Sequence, residues 1–190
     1  MAKVNANQLR KGNVVEINGK LFAVITAQNI QPGKGTPVTQ LDLRDLSTGI
    51  KTTERYRTTE SVERVYIEDR EFTYLFTEGD QVTFMDVENY EQIGVPAEVV
   101  GDQAVWLQDG MKVDIALYEG KPVSVTLPQT VIMEITETEP TVKGQTASSS
   151  YKPAIVSNGQ RVMVPPHVSA GTRIVINIQE GGVYLERAKD

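Results

Sequence analysis

Residues 21–46 read Leu-Phe-Ala-Val-Ile-Thr-Ala-Gln-Asn-Ile-Gln-Pro-Gly-Lys-Gly-Thr-Pro-Val-Thr-Gln-Leu-Asp-Leu-Arg-Asp-Leu, which is two strand-like segments around a turn-forming stretch. Alternating apolar residues in Leu21–Asn29 and Val38–Leu46 predict two β-strands. The stretch between them, from Gln31 to Pro37, holds two glycines, two prolines and one lysine, a composition typical of exposed loops. We therefore expect a β-hairpin closed by a long loop rather than by a two-residue turn.

The loop places Lys34 between Gly33 and Gly35, with Pro32 just before them. Glycine allows positive φ and leaves no side chain that would shield the lysine, while proline restricts the backbone on either side. A lysine in this setting can bind phosphate, serve as a substrate for covalent modification, or be a solvated turn residue. The loop composition by itself is compatible with all three.

The composition limits the class of protein. The chain has 190 residues, of which 39% are hydrophobic, and this is enough for one large domain or two to three small ones. No apolar run reaches the roughly 18 residues of a membrane span, and residues 1–7 lack the apolar stretch of a secretory signal. We therefore expect a cytoplasmic protein that does not associate with membranes.

The chemistry-bearing residues argue against a metal site and against catalysis. The chain has no cysteine, and His167 is its single histidine, so the sequence predicts no disulfide, no metal site and no bound cofactor. Neither a histidine–cysteine constellation nor a P-loop occurs. We expect a protein that is not an enzyme.

Charge is unevenly distributed along the chain. The formal net charge is -6, but residues 1–64 carry 10 lysines and arginines against 6 carboxylates, whereas residues 65–190 carry 9 against 19. A basic amino-terminal part suits contact with phosphates, while the acidic remainder suits solvent or a less anionic partner. An accidental partition of charge is the alternative interpretation.

Four segments share one short pattern, Gly-x-x-(Val or Ile)-x-(Ile or Phe), which is typical of a turn glycine followed by an alternating strand. These segments begin at Gly12, Gly79, Gly110 and Gly171. Helical periodicity is scarce, and short helical turns are expected only at residues 7–9, 89–92, 96–99 and near 168. The sequence predicts an all-β protein made of small barrels or sandwiches.

Two positions are credible domain boundaries. The basic part ends near residues 61–64, and Pro128 interrupts two strand-like runs. The predicted domains are therefore residues 1–64, 65–128 and 129–190. Trp106, the only tryptophan, lies in an apolar run and is expected in the core of the middle domain.

Several motifs together resemble bacterial elongation factor P, over the whole length of the chain. The Pro-Gly-Lys-Gly tetrapeptide would be a weak signal alone, but the other motifs occur in the same order. They are Pro32–Gly35, Phe84–Asp86, Tyr90–Gln92, Val142–Gly144, Lys152–Ala154, Val164–Pro165 and Tyr184–Arg187.

The resemblance implies a fold and a function. It implies an SH3-like, KOW-type amino-terminal barrel followed by two OB-fold barrels, in an L-shaped molecule. It also implies a monomeric factor that binds both ribosomal subunits and ribosomal RNA between the peptidyl and exit sites. Such a factor stimulates peptide bond formation and relieves stalling at consecutive prolines by positioning the acceptor end of peptidyl-tRNA.

The resemblance also assigns roles to residues. Lys34 matches the tip lysine that faces the peptidyl-transferase centre, with Pro32, Gly33 and Gly35 as its loop. A lysine-modifying enzyme is implied as a further partner, because this lysine is commonly extended by a β-lysyl or similar group. Four basic residues are candidate RNA-backbone contacts, with solvated strand residues as the alternative: Arg44, Lys51, Arg55 and Arg57.

One loop of the third domain departs from the family pattern. The family often has Gly-Asp-Thr in a loop that faces the exit-site codon, whereas this chain has Gly144, Gln145 and Thr146. Glutamine keeps hydrogen-bonding capacity but has no charge. These three residues are the candidate codon-side loop, and their match to the family is weaker than that of the tip.

Two other classes of protein are alternatives. Archaeal and eukaryotic initiation factor five A shares the tip lysine but would normally lack the third barrel that residues 129–190 supply here. A generic OB-fold protein that binds single-stranded RNA without the ribosome should carry exposed aromatic residues on basic strands. Only 6% of the residues are aromatic.

Overall fold

The computed structural model describes residues 2–140 and 150–189. Strands dominate, and they form three antiparallel sheets, which confirms the predicted all-β class. The chain divides into two compact units, one of Met1–Val100 with Asp114–Thr126 and the other of Gly101–Val113 with Leu127–Asp190. No helix in the described part of the chain is long and apolar enough to cross a membrane.

The first sheet has six strands in the order β1-β6-β2-β3-β4-β5. Its strands are β1 (Ala2–Asn5), β2 (Val14–Ile17), β3 (Lys20–Ile30), β4 (Val38–Asp45), β5 (Lys51–Arg57) and β6 (Ser61–Arg64), with a 3-10 turn at Ala6–Gln8. The predicted hairpin is confirmed, since β3 and β4 pair up to Ile30 and Val38 and the loop spans residues 31–37.

Burial alternates along β4 as the strand period requires. Thr39, Leu41 and Leu43 are fully buried and Asp45 is nearly so, while the residues between them face outward. The two leucines join a core that includes Leu9, Val15 and Val24. Because a slip of one residue would expose all of these side chains, the core fixes the register of the hairpin.

The second sheet has five strands in the order β11-β10-β7-β8-β9. Its strands are β7 (Glu68–Glu78), β8 (Gln81–Asp86), β9 (Gln92–Pro96), β10 (Lys112–Tyr118) and β11 (Lys121–Thr126). Helix α1 (Ala97–Val100) and a 3-10 helix (Gly101–Trp106) follow β9. The prediction of a helical turn at residues 89–92 is wrong, because these residues form no helix and the last of them begins strand β9.

The third sheet has five strands in the order β14-β13-β12-β15-β16. Its strands are β12 (Thr130–Thr138), β13 (Lys152–Val156), β14 (Arg161–Val164), β15 (Arg173–Asn177) and β16 (Val183–Arg187). Strand β12 pairs with β15 through its first half and with β13 through its second half. No helix forms near Val168, contrary to the prediction.

The four turn glycines of the repeated pattern all have positive φ: 91° at Gly12, 59° at Gly79, 79° at Gly110 and 89° at Gly171. A strand begins two residues after each of them. Only glycine adopts this backbone conformation without strain. The pattern therefore predicted the starts of four strands correctly.

Trp106 differs from its prediction. Its ring packs against Gly182, where an added Cβ would lie 2.7 Å from Cζ2, and the segment Gly101–Val113 belongs to the carboxy-terminal unit. In the same unit, the Asn158 amide donates to the Val105 carbonyl at 2.8 Å. Trp106 is buried as expected, but its position in the core of the middle domain is wrong.

A second apolar cluster lies within the amino-terminal unit. Its buried members are Val14, Val65 and Val123, with Tyr118 and other half-buried side chains around them. Val14 is in the first sheet and Val123 in the second. The backbone N–H of Val65 also donates to the Val14 carbonyl at 2.9 Å, so the first two sheets share apolar packing.

Candidate functional site

The loop between β3 and β4 presents Lys34 to solvent. Pro32, Gly33, Lys34 and Gly35 are all exposed. The two strands below the loop are held in pairs along their length, and the Thr39 hydroxyl donates to the Asn29 side chain at 2.7 Å near the loop. A well-ordered hairpin therefore supports an exposed tip.

The Lys34 ammonium has no hydrogen bond and no ion pair within residues 2–140 and 150–189. A lysine ammonium is a compact charge with three donors at neutral pH. Lys34 is therefore available to an external acceptor such as a phosphate or ribose oxygen.

The two glycines of the tip have different backbone conformations. Gly35 has φ of 129°, and a Cβ at this position would approach the Pro32 ring at 3.5 Å. Gly33 has no positive φ and nothing within 4 Å of an added Cβ. Backbone strain thus favours glycine at position 35, whereas at position 33 glycine mainly keeps space open beside Lys34.

The four candidate RNA-backbone cations lie on one surface, which we call the basic face. On β4, Arg44 points away from the buried Leu41 and Leu43. Directly paired residues of an antiparallel sheet share a face, and Lys51 pairs with Arg44. Arg55 pairs with Gln40 and Arg57 with Val38, two further outward residues of β4.

The basic face extends away from the tip. Arg57 lies opposite Val38, the first residue after the loop, and Lys51 is six residues further along β5. At about 3.4 Å per residue, the cations span about 20 Å. Arg55 donates from Nε to Gln40 Oε1 at 3.1 Å, which orients its guanidinium along the sheet.

One carboxylate, Asp42, lies within the basic face, and sequence reasoning missed it. Its two oxygens accept hydrogen bonds from the hydroxyls of Thr26 at 2.7 Å and Thr53 at 2.8 Å. The bond from Thr26, followed by that from Thr53, lowers the pKa of Asp42 below its ordinary value. Asp42 is therefore ionised at neutral pH; the alternation along β4 could have indicated its outward direction.

The codon-side candidates Gly144, Gln145 and Thr146 lie outside the described residues. Among the residues that are described, no group of three or more histidine, aspartate or glutamate side chains is arranged to hold a metal ion. The candidate site therefore consists of the Lys34 loop and the basic face.

Family profiles match most of the chain. The profile of the elongation factor P KOW-like domain matches residues 5–62. The profile of the elongation factor P OB domain matches residues 67–125, and that of the elongation factor P carboxy-terminal domain matches residues 131–187. The third match argues against initiation factor five A, which was expected to lack a third barrel.

Relatives with the same domain order match over full length. A protein described as elongation factor P from Methylobacterium nodulans is 59% identical over 188 residues, which cover 99% of this chain and 100% of the relative. Proteins of that description from Xanthobacter autotrophicus and Rhizobium meliloti are 59% and 56% identical over 190 residues, with 100% of each chain covered.

One solved structure supports the fold. The eukaryotic translation initiation factor 5A from Methanococcus jannaschii has a TM-score of 0.50 and 24% sequence identity. The match covers 66% of this chain and 92% of that protein. At this identity the likeness concerns the fold alone.

Proposed function

This chain belongs to the elongation factor P family of translation factors, and from that premise we propose that it promotes peptide bond formation on ribosomes stalled at consecutive prolines. In this proposal it binds between the peptidyl and exit sites, contacts both subunits and ribosomal RNA, and orients the acceptor end of peptidyl-tRNA through the Lys34 loop. It acts as a monomer in the cytoplasm.

The observation that carries the proposal is the unpaired Lys34 ammonium at an exposed hairpin tip, within the residues that the structure describes. A lysine held by a core or by a carboxylate could not reach RNA. The long pairing of β3 with β4 reduces the freedom of the tip, so less entropy is lost when it orders against tRNA.

The basic face supports the same orientation. Its cations continue along β5 from the base of the loop, so a tRNA acceptor arm near Lys34 would meet Arg57 and Arg55 next. Contacts of this kind with phosphates position a nucleic acid without reading its sequence. Such binding suits a factor that acts on many different nascent chains.

The proposed mechanism needs positioning and no catalytic group in this chain. Proline has a fixed φ and a secondary amine, which restricts the attack geometry of peptidyl and aminoacyl ends. Holding the reacting groups in the orientation needed for attack can lower the activation barrier by several kcal/mol. Lys34 would supply donors to ribose and phosphate oxygens, and the ribosome would carry out the reaction.

We include covalent extension of Lys34 in the proposal. Exposure of the side chain and the small flanking glycines leave room for a modifying enzyme. An amine-bearing extension such as a β-lysyl group would lengthen the reach and add hydrogen-bond donors. Intact-mass and peptide mass spectrometry of protein from its own host should find an increment confined to the peptide that contains Lys34.

The function is tested by translation of a triple-proline reporter in a reconstituted system. Wild-type protein should relieve the stall, and Lys34→Ala should lose most of the relief because the tip no longer donates to tRNA. Lys3→Ala is the matched control, since Lys3 is an exposed lysine of the same sheet on β1, which pairs with β6 and not with a strand of the hairpin. Full relief by Lys34→Ala would contradict the proposed role of the tip.

The alternative of a generic single-strand RNA-binding protein has a separate outcome. It predicts tight binding to an oligoribonucleotide without ribosomes and no effect on the reporter. Stacking platforms need exposed aromatic rings, but the aromatic residues of β3 and β5, Phe22 and Tyr56, pack against the first core. This packing favours the ribosomal function.

A further inference from the structure

Two turns in different sheets have the same construction. The β4–β5 turn runs from Asp45 to Ile50 and the β8–β9 turn from Asp86 to Glu91. In the first, Asp45 Oδ1 accepts from the backbone N–H of Ser47 at 2.8 Å and of Thr48 at 3.3 Å. In the second, Asp86 Oδ1 accepts from the corresponding N–H groups, two and three residues on, at 2.8 and 3.4 Å.

Two further backbone donors of the two turns also correspond. Gly49 N–H donates to the Asp45 carbonyl at 2.7 Å, and Tyr90 N–H donates to the Asp86 carbonyl at 3.0 Å. The side chain of the fourth residue accepts from the sixth residue at 3.3 Å in one turn and 2.9 Å in the other. The first turn has one additional bond, from the Ser47 hydroxyl to Asp45 Oδ1 at 2.6 Å, which Glu88 cannot make. The backbone donors are otherwise matched, and the fifth residue is glycine in one turn and tyrosine in the other.

The fifth residue has left-handed backbone conformation in both turns. Gly49 has φ of 76° and Tyr90 has φ of 61°. A bulky residue with positive φ is strained where glycine is not. Because Gly49 closes the same set of hydrogen bonds, the β8–β9 turn has no structural need for a tyrosine.

Packing does not compensate for the strain at Tyr90. The side chain is 70% exposed, so it contributes little to a core. Strained residues that have no packing reason cluster at functional positions. The exposed aromatic ring is therefore a candidate contact for a partner.

The charges around Tyr90 indicate which partner it fits. Glu91 is exposed, and the Glu88 side chain is 81% exposed. The nearby arginine, Arg70, lies 2.7 Å from the buried Asp86 carboxylate and 3.4 Å from the Glu88 carboxylate, so it pairs with both. Three carboxylates, those of Asp86, Glu88 and Glu91, outnumber the single arginine here, and this excess of negative charge repels phosphates. An aromatic face and carboxylates both attract lysine or arginine.

We propose that Tyr90, together with Glu88 and Glu91, is a docking point for a basic protein surface on the ribosome. The proposal rests on the ribosome binding proposed above and extends it to the middle domain. A lysine or arginine of the partner lies over the tyrosine ring and pairs with the flanking carboxylates. The turn fixes the backbone from which the ring projects, so little entropy is lost on docking.

The first test is affinity for purified 70S ribosomes. Tyr90→Gly should bind about tenfold more weakly than wild type, as expected for the loss of one anchoring ring. Tyr90→Phe should bind within about twofold of wild type, because the ring face remains. Tyr66→Ala is the matched control, since it removes another tyrosine that is 78% exposed and should leave the affinity unchanged.

Two further measurements separate a lost contact from a damaged fold and a protein partner from RNA. The denaturant midpoint of Tyr90→Gly should equal or exceed that of wild type, because glycine relieves the backbone strain. A benzoyl-phenylalanine photo-crosslinker at position 90 should give an adduct with 70S ribosomes that resists ribonuclease and that contains peptides of a ribosomal protein by mass spectrometry.

The outcomes separate the two proposals. If wild type binds 70S ribosomes and Tyr90→Gly binds equally well, the docking point is overturned and the proposed function stands. An adduct that ribonuclease destroys would overturn the proposal that the partner at Tyr90 is a protein. If wild type does not bind 70S ribosomes, the proposed function and the docking point both fail.

Discussion

At the scale of single residues, Gly182 makes room for the Trp106 ring because it has no side chain. Its φ is 95°, and the Trp106 ring occupies the space where a Cβ would be. The neighbouring Gly181 has φ of 85° but nothing within 4 Å of an added Cβ. The two adjacent glycines therefore separate backbone strain from steric contact.

Gly182→Ala should lower the free energy of unfolding by about 3 kcal/mol, because it adds overpacking against Trp106 to backbone strain. Gly181→Ala should cost only about 1 kcal/mol, from strain alone. Denaturant unfolding followed by the fluorescence of Trp106, the only tryptophan, measures both. Equal losses in the two variants would contradict a role for the ring contact.

Positive φ was predicted correctly where the residue is glycine, but it was not predicted at Tyr90. Gly12 and Gly79 were predicted as turn glycines and have positive φ. Tyr90 has the same kind of φ, but tyrosine rarely adopts it, so the residue type carried no such signal. The Trp106 partner was also beyond prediction, because it depends on packing between segments that are distant in sequence.

At the scale of elements, strand pairing brings together the residues of the basic face, which belong to two different strands. Arg44 and Lys51 face one another across β4 and β5, and Arg55 lies beside Gln40. The sequence predicted the two strands around the tip. Their register also depends on a bulge between Val24 and Thr26, which the alternating pattern does not reveal.

Arg55→Gln should weaken binding to 70S ribosomes and reduce the slope of log affinity against log salt by about one, because one phosphate contact and its counterion release are lost. Binding titrations at several KCl concentrations measure the slope. Lys3→Gln removes a charge from β1, at the other end of the strand order, and should leave the slope unchanged. A similar change in both variants would argue against the basic face as the contact.

At the scale of the whole molecule, the predicted boundary between residues 64 and 65 passes through an apolar cluster. Val14 lies on one side of this boundary, and Val65 and Val123 lie on the other. Charge and proline content indicated where the composition of the chain changes, but they carry no information on which apolar side chains contact one another. The boundaries at residues 64 and 128 stay predictions.

Val14→Ala should destabilise both of the first two sheets, because the shared cluster loses two methyl groups, at a cost of about 2 kcal/mol. Hydrogen exchange should then show weaker protection in β2 and β11 together. Val24→Ala is the matched control, since Val24 belongs to the core of the first sheet and should affect that sheet alone. Unchanged protection of β11 in Val14→Ala would show that the two sheets open independently.

The path of the chain through the two compact units has a consequence for proteolysis. The polypeptide passes from one unit to the other after Val100, returns after Val113 and passes again after Thr126. A protease that cuts one of these passages leaves a fragment whose residues are divided between both units. The nicked fragments therefore remain associated under native conditions and part only when a unit unfolds.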